Sequence, residues 1–194
     1  MGKVLSVLVA VLVVVGVAVG VRLLDPDGAP APGAAPTRGE AGTGEVPDDA
    51  VLATVVSHVD GDTLRLAGQE RSEVLRRGED TTVRLLEIDT PEHGRSGRPE
   101  ECFADEASRA LRDKLPVGAE VWVAADRDLR DPYGRTLLYL WTGSGELVNL
   151  SMIREGYAEA VLFEPNDAFI DLMRAAETDA RAEGRGMWGA CPGG

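Results

Sequence analysis

The order of strand and helix signals after residue 50 restricts the possible folds more than any other feature of this sequence. Three runs rich in β-branched and apolar residues come first, followed by a segment of helical spacing, two more strand-like runs and two further helical segments. Five strands with a helix inserted after the third are typical of a small closed barrel rather than of a parallel α/β sheet. The predicted fold class is therefore α+β, a β-barrel of five strands of the OB-fold type with three helices. The strands are predicted at Val51–Ser57, Thr63–Ala67, Thr81–Ile88, Glu120–Ala125 and Thr136–Trp141.

The three helices are predicted from apolar residues at helical spacing and from residues that start or end helices. The first is predicted at Phe103–Leu115 and the second at Val148–Glu155, which Gly156 would close. For the third helix, Asn166 is the expected N-cap and Gly184 the expected end. One face of this helix would be apolar through Phe169, Leu172, Met173, Ala176 and Ala180.

An uncharged apolar run, Val4–Val21, precedes the domain. It is just long enough to span a bilayer as a helix, so it is either a retained membrane anchor or a cleaved signal peptide. We favour the anchor because the run is longer than the apolar part of most signal peptides. Either alternative exports the rest of the chain, so the domain is expected outside the cytoplasm, tethered to the membrane or secreted.

The chain is expected to divide into three parts. Residues 1–24 form the N-terminal hydrophobic helix, residues 25–49 a flexible linker, and residues 50–194 the folded domain. The linker contains five Pro and five Gly, a composition that cannot bury a core.

The charge of the chain excludes one class of nucleic-acid-binding protein. With 20 Lys and Arg against 33 Asp and Glu, the formal net charge is −13. Such a chain cannot hold a polynucleotide by overall charge alone. Any contact with nucleic acid must therefore rest on a local site.

Two acidic residues stand at strand ends, where they could meet at one rim of the barrel. Asp62 ends a turn just before the second strand, and Asp89 ends the third strand region, directly before Thr90 and Pro91. Paired carboxylates with a backbone carbonyl suit Ca²⁺ or Mg²⁺. Taken singly, each segment is also explained as an ordinary turn or a strand terminator.

Two arginines could act with such a metal. Arg84 lies inside an apolar strand, where a guanidinium is costly unless it meets an anion or an ion-pair partner. Arg135 stands where a turn enters a strand. Two arginines together with two or three carboxylates are what phosphodiester hydrolysis needs. A metal held by the carboxylates would bind the phosphate and an attacking water, and the arginines would stabilise the oxygens on which charge develops. A structural ion pair or an outward-facing position would explain Arg84 equally well, and a simple turn would explain Arg135.

Taken together and in order, these segments resemble the staphylococcal nuclease (thermonuclease) family. The resemblance covers roughly residues 51–189 and implies an OB-fold domain that hydrolyses DNA and RNA with Ca²⁺. We expect the chain to be a monomer. The similar segments are Val59–Thr63, Val83–Glu92, Asp105–Ser108, Asp131–Arg135, Val148-Asn149 with Gly156, and Gly186–Trp188.

The resemblance also implies a metal site. Asp62 and Asp89 would bind Ca²⁺ through their carboxylates, and Thr90 would bind it through its carbonyl.

Catalytic and substrate-binding roles are implied in the same way. Glu92 would be the general base or would orient the attacking water, while Arg84 and Arg135 would bind the scissile phosphate and stabilise the transition state. The 5′-oxygen would leave, so the products would carry 3′-phosphate ends. Tyr133 and Phe163 would lie beside the nucleotide.

Three positions depart from the family pattern. Val161 and Phe163 stand where the family has tyrosines near the base pocket, and Pro132 replaces a lysine. The domain is also acidic, unlike the basic type member. We therefore expect changes in substrate affinity and base preference rather than in the metal and phosphate positions.

Cys102 and Cys191 are the only cysteines. In an exported protein a disulfide between them is the default, and it would close a loop of nearly ninety residues. Free thiols are one alternative. A zinc site with His58 and His93 is another, although no Cys or His pair has close spacing.

The competing function is a non-catalytic module on the same barrel, one that binds nucleic acid or interacts with other components of the cell envelope. Such modules are expected to lose Arg84, Glu92 or a metal-binding aspartate. None of these is lost here, so a metal-dependent nuclease is the preferred interpretation. No protein partner is implied, and the membrane would be contacted through residues 4–21 if they are retained.

Overall fold

The computed structural model describes residues 44–94 and 97–192. The apolar run Val4–Val21 and most of the expected linker lie outside the described residues. Among the residues that are described, no helix is both long and apolar enough to cross a membrane.

The described chain contains seven strands and four helices. In chain order they are β1 Val51–His58, β2 Thr63–Gly68, β3 Asp80–Leu85, β4 Ile88–Asp89, α1 Ala104–Lys114, β5 Glu120–Ala124, β6 Thr136–Thr142, α2 Val148–Arg154, β7 Glu159–Ala160, α3 Ile170–Ala182 and α4 Met187–Ala190.

Five of the strands close into a barrel in the order β1-β2-β3-β6-β5. Strands β3 and β6 pair in parallel, and the other neighbours in the barrel are antiparallel. The predicted five-stranded OB-type barrel with three main helices is confirmed. Alternation along the strands sends one set of side chains into the barrel. These include Ala53, Val55, Leu64, Leu66, Val83, Leu85, Val121 and Val123, all of which are buried.

The prediction of the third strand, Thr81–Ile88, is wrong in one respect, because the structure has two strands in this segment. Strand β3 ends at Leu85, and Ile88 and Asp89 form the separate strand β4, which pairs with β7. The break falls at Glu87, whose φ of 61° lies in the left-handed region. A glutamate rarely adopts this conformation, so no local propensity predicts the break.

The predicted N-cap of the last helix is also wrong. Helix α3 begins at Ile170 after Phe169, not at Asn166. The Asn166 side chain instead accepts a hydrogen bond from Asp128 N (2.7 Å) and donates one to Asp128 O (3.1 Å). It thereby fastens the loop before α3 to the loop before β6. The predicted apolar face is present, since Phe169, Met173, Ala176 and Ala180 are buried.

Buried polar contacts fasten the helices to the barrel beside the break at Glu87. The Asn149 side chain on α2 donates to Leu86 O (2.9 Å) and accepts from Leu140 N (3.0 Å). Residues ahead of the expected start at Ala50 also pack on the barrel, because Val46 is buried and Trp141 Nε1 donates to Gly44 O (2.8 Å).

Cys102, just before α1, is joined by a disulfide to Cys191, just after α4, with their Cα atoms 5.9 Å apart. The predicted pairing is therefore present, and it leaves no place for the free-thiol alternative or for a zinc site that uses these sulfurs.

Candidate active site

The carboxylate of Asp62 is the centre of a buried cluster at one rim of the barrel. Its Oδ2 accepts hydrogen bonds from Thr90 N (3.0 Å) and Thr90 Oγ1 (2.9 Å), and its Oδ1 accepts one from Thr63 Oγ1 (3.0 Å). Asp62 is only 2% exposed. Two segments that are 28 residues apart are joined in this way. The structure thus brings together Asp62 and Thr90, as the predicted metal site requires.

The guanidinium of Arg84 joins this cluster to Asp89. Its Nη1 donates to Leu85 O (2.8 Å) and Ile88 O (2.6 Å), so two backbone carbonyls fix its orientation. Its Nη2 donates to Asp89 Oδ1 (2.6 Å), and its Nε lies 3.1 Å from Asp62 Oδ1. Because Arg84 is 4% exposed, the outward-facing alternative is excluded. The break at Glu87 makes this possible, since it brings the Ile88 carbonyl back toward the arginine.

Negative charge accumulates around this rim. Burial raises the pKa of Asp89, an effect opposed by Arg84 and reinforced by Asp62 and Glu92. Burial and the neighbouring Asp62 carboxylate likewise raise the pKa of Asp60. The Asp60 Oδ1 accepts a hydrogen bond from Asp62 N (3.2 Å). The sequence analysis gave Asp60 no role, although its position two residues before Asp62 was a usable signal.

The donor set fits a hard divalent cation. Asp62, Asp89 and the Thr90 carbonyl offer only oxygen, which Ca²⁺ and Mg²⁺ prefer. Asp62 is buried, whereas the side chain of Asp89 is 56% exposed and can be reached from solvent. A cation here would also offset the repulsion that raises the pKa of Asp89.

A small cleft of about 160 Å³ lies beside Asp89 and Thr90. Glu101 and Glu159 line it as well, so its wall is acidic. A phosphate would be repelled from this wall unless a cation were bound beside it.

Glu92 lies on an exposed loop that is closed by two hydrogen bonds. The Glu92 N–H donates to Glu101 Oε2 (2.9 Å), and the Glu101 N–H donates to Glu92 O (3.0 Å). The charge of Glu92 is one of the causes that raise the pKa of Asp89, after burial and the charge of Asp62.

Arg135 belongs to a second cluster, held by Asp131. The Asp131 Oδ1 accepts hydrogen bonds from Tyr133 N (2.9 Å) and Arg135 N (2.8 Å), while Oδ2 accepts one from Arg135 Nε (2.6 Å). Burial acts to raise the pKa of Asp131, but the hydrogen bonds from Arg135 outweigh it and the pKa is lowered. Within the described chain, Arg135 shares no hydrogen bond or ion pair with Asp62 or Arg84. Sequence reasoning gave Asp131 no role, although its four-residue spacing from Arg135 was visible.

Two aromatic side chains lie next to the arginines. The Tyr133 ring centroid is 5.7 Å from the Arg135 guanidinium carbon, and Tyr133 is 86% exposed. The Phe163 ring centroid is 5.2 Å from the Arg84 guanidinium carbon. Both predicted substrate contacts therefore flank a cation that could bind phosphate, and Tyr133 offers a ring face to a base.

Comparison with known proteins shows similarity over most of the domain. Residues 82–190 match the family model described as staphylococcal nuclease homologue. The chain is similar to a thermonuclease of Staphylococcus intermedius, with 32% identity over 130 residues, which is 67% of this chain and 71% of that protein. It is 31% identical over 142 residues to endonuclease YncB of Bacillus subtilis, covering 71% of this chain and 62% of that protein. A thermonuclease of Staphylococcus hyicus is 29% identical over 134 residues, covering 69% and 73% respectively.

Proposed function

Because the chain belongs to the staphylococcal nuclease family, as its motifs predicted, we propose that it hydrolyses DNA and RNA outside the cytoplasm with Ca²⁺ and leaves 3′-phosphate ends. Family membership makes it a nuclease, a phosphodiester hydrolase. The observation that carries the proposal is the cluster at the barrel rim in which the buried Arg84 joins the buried Asp62 to the exposed Asp89. The half-exposed Asp89 gives this cluster a carboxylate that solvent can reach, which an ion pair serving only the fold does not require.

In this proposal Asp62, Asp89 and the Thr90 carbonyl hold the Ca²⁺. When bound, the ion supplies positive charge that draws the phosphate to an acidic rim and favours ionisation of a nearby water. Asp62 is already positioned for this by its hydrogen bonds to Thr90. Asp89 is the exposed member of the set and is the one that solvent and substrate can reach.

The two arginines stabilise the phosphate as charge builds on its oxygens. Arg84 is preorganised, since the carbonyls of Leu85 and Ile88 hold its guanidinium before substrate arrives. Arg135 is also preorganised, because the Asp131 carboxylate accepts a hydrogen bond from its guanidinium and holds it in place. Fixed donors of this kind favour the transition state because little reorganisation is needed during the reaction.

Glu92 accepts the proton of the attacking water in this proposal. Its carboxylate is exposed near Asp89, and the hydrogen bonds between Glu92 and Glu101 fix the loop that carries it. Attack in line with the 5′-oxygen expels that oxygen and leaves the phosphate on the 3′ side. Tyr133 stacks on a base, while Phe163 covers Arg84 and limits its hydration.

The location is proposed from two features. The disulfide between Cys102 and Cys191 is of a kind that persists in oxidising compartments. The run Val4–Val21 would supply export and, if retained, a membrane tether. We expect a monomer that needs no protein partner for catalysis.

The test uses the purified full chain in nonionic detergent, incubated with single-stranded DNA or RNA in Ca²⁺ or in excess chelator. Cleavage is expected only with Ca²⁺, and the products should become substrates for 3′ extension only after phosphatase treatment. Glu92→Gln should lower the rate at least ~100-fold. The matched control is Glu70→Gln, which removes an exposed carboxylate from the β2–β3 loop and should leave the rate unchanged.

Intact nucleic acid at high protein and Ca²⁺ concentrations would contradict the proposal. Retention of the same oligonucleotide on a filter, without cleavage, would then favour the non-catalytic binding module. Equal rates for wild type and Glu92→Gln would contradict the role of Glu92 or reveal a contaminating nuclease.

A further inference from the structure

A cluster of potential metal ligands lies outside the Asp62 site, between the loop that follows Glu92 and the first turn of α1. His93, Glu100 and Asp105 each place one ligand atom within 4.8 Å of the other two. His93 Nδ1 is 3.7 Å from Asp105 Oδ1 and 4.0 Å from Glu100 Oε1. Both distances are too long for hydrogen bonds, although the three groups face one another.

The imidazole of His93 is oriented by the protein. Its Nε2 lies 2.7 Å from the hydroxyl of Ser108, which is fully buried on α1. With one ring nitrogen engaged in this way, the other nitrogen is directed at the two carboxylates. Metal-binding histidines have this arrangement, in which a partner on the far nitrogen fixes the ring and the tautomer.

The loop backbone brings His93 and Glu100 together. A Cβ at Gly94 would lie 2.9 Å from Glu100 N, so only glycine permits this close approach. The Glu92–Glu101 hydrogen bonds close the base of the same loop. The spacing of His93 and Glu100 is therefore set by backbone contacts of the residues beside them and does not depend on side-chain rotation alone.

The charge of the cluster favours a cation. Glu100 and Asp105 contribute two carboxylates, and in the described part of the chain neither forms an ion pair with a lysine or arginine. Each carboxylate instead faces His93, at 4.0 Å for Glu100 and 3.7 Å for Asp105. Asp105 also lies in the first turn of α1, where its charge favours the helix dipole. That effect accounts for Asp105 but not for its convergence with a histidine and a second carboxylate.

From these observations we propose that His93, Glu100 and Asp105 bind a transition metal ion of the Zn²⁺ class, at a site separate from Asp62 and Asp89. One imidazole nitrogen with two carboxylate oxygens suits Zn²⁺ or Mn²⁺, whereas Ca²⁺ prefers oxygen alone. Ligand atoms about 2.1 Å from a tetrahedral metal lie ~3.4 Å apart. The distances from His93 to Asp105 and Glu100, 3.7 and 4.0 Å, are close to this value. The two carboxylate oxygens, which lie within 4.8 Å of each other, would move closer together around the ion. Solvent supplies the fourth ligand. The bound ion joins the loop that carries Glu92 to helix α1.

The experiment is titration of the purified full chain, free of any histidine tag, with ZnCl₂ in the presence of millimolar Ca²⁺. Calorimetry should show one Zn²⁺ per chain. Because the protein has only two histidines, their imidazole NMR signals can be followed separately, and Zn²⁺ should shift His93 but not His58. The variants His93→Gln and Asp105→Asn should weaken binding at least ~10-fold, since even partners of metal ligands have effects of that size.

Glu106→Gln is the matched control, because it removes a carboxylate from the same turn of α1 without touching the cluster. It should bind Zn²⁺ like wild type. Equal Zn²⁺ affinity in wild type and His93→Gln would overturn the proposal, as would complete displacement of Zn²⁺ by Ca²⁺, which would place the ion at Asp62 and Asp89. Failure of the nuclease assay would not affect this test, since the titration measures metal binding alone.

Discussion

Arg84 and Asp62 form a buried ion pair, with Arg84 Nε 3.1 Å from Asp62 Oδ1 and both side chains almost wholly inaccessible. Removing one partner of such a pair leaves an uncompensated buried charge, which costs about 3–5 kcal/mol. We therefore expect Arg84→Ala to lower the free energy of unfolding by that amount, measured by urea denaturation in the presence of chelator. Arg84→Ala should also abolish cleavage, so stability and activity must be measured on the same sample.

The control for this prediction is the exposed pair of Arg76 and Glu79, whose side chains are 73% and 62% exposed. Surface pairs of this kind contribute about 0–1 kcal/mol, so Arg76→Ala should leave stability nearly unchanged. Added Ca²⁺ should restore part of the lost stability in Arg84→Ala, because the ion offsets the charge of Asp62. Equal stability of Arg84→Ala and wild type would contradict a structural role for the pair.

Asp131 is expected to control Arg135 without taking part in the reaction. In Asp131→Asn the amide oxygen can still accept from Tyr133 N and Arg135 N, but the amide nitrogen cannot accept from Arg135 Nε. The turn should persist while the guanidinium loses its anchor. We predict a fall in kcat of roughly 10-fold, against at least ~100-fold for Arg135→Ala, which removes the donor itself. Urea denaturation that shows a large loss of stability in Asp131→Asn would instead indicate a role in folding.

Glu87 should make the protein less stable at neutral pH than at acid pH. Its side chain is fully buried, and burial raises its pKa from 4.5 to about 7. Between these values the folded state binds more protons than the unfolded state, so stability falls as pH rises through this window. At ~1.4 kcal/mol per pKa unit, the free energy of unfolding has fallen by on the order of 3 kcal/mol once the pH is above 7.

The substitution that tests this is Glu87→Gln, which keeps the side-chain oxygen that accepts from Phe169 N. Relative to wild type, the variant should be more stable at pH 8 and about equally stable at pH 4. Urea denaturation across this pH range in chelator measures both. Glu73→Gln, an exposed carboxylate, should follow the wild-type profile. Parallel profiles for Glu87→Gln and wild type would show that the carboxyl is not titrating as described.

The barrel could be predicted from sequence because its determinants are local. β-branched runs separated by turn residues specify β1, β2, β5 and β6 to within a residue or two. The buried arginine was also visible, since Arg84 is the charged residue within an otherwise apolar run. Its need for an anionic partner follows from burial alone.

The remaining features could not be predicted because they depend on contacts between distant residues. Asn166 bonds to Asp128, 38 residues earlier, and so is not available as a helix cap. Glu87 adopts a left-handed conformation that the surrounding fold imposes. Strands β4 and β7 have two residues each and no periodic pattern to detect. The cluster of His93, Glu100 and Asp105 depends on a loop closure that the sequence does not show.

The disulfide between Cys102 and Cys191 is expected to stabilise the domain by restricting the unfolded chain. The bond spans 89 residues, and in the chain-entropy model a loop of that length contributes about 4 kcal/mol. Replacing both cysteines by serine should lower the free energy of unfolding by that amount, and the variant should be insensitive to reductant.

Alkylation of wild type without reductant should label no cysteine, and alkylation after reduction should label two. The folded tail should survive reduction, because Met187 N still donates to Gly156 O (2.9 Å) and holds α4 beside the end of α2. Reduced wild type should therefore unfold at a lower urea concentration than oxidised wild type. Without urea, the two should have the same far-ultraviolet circular dichroism spectrum. Labelling of both cysteines before reduction would contradict the disulfide and, with it, the strongest structural argument for an oxidising compartment.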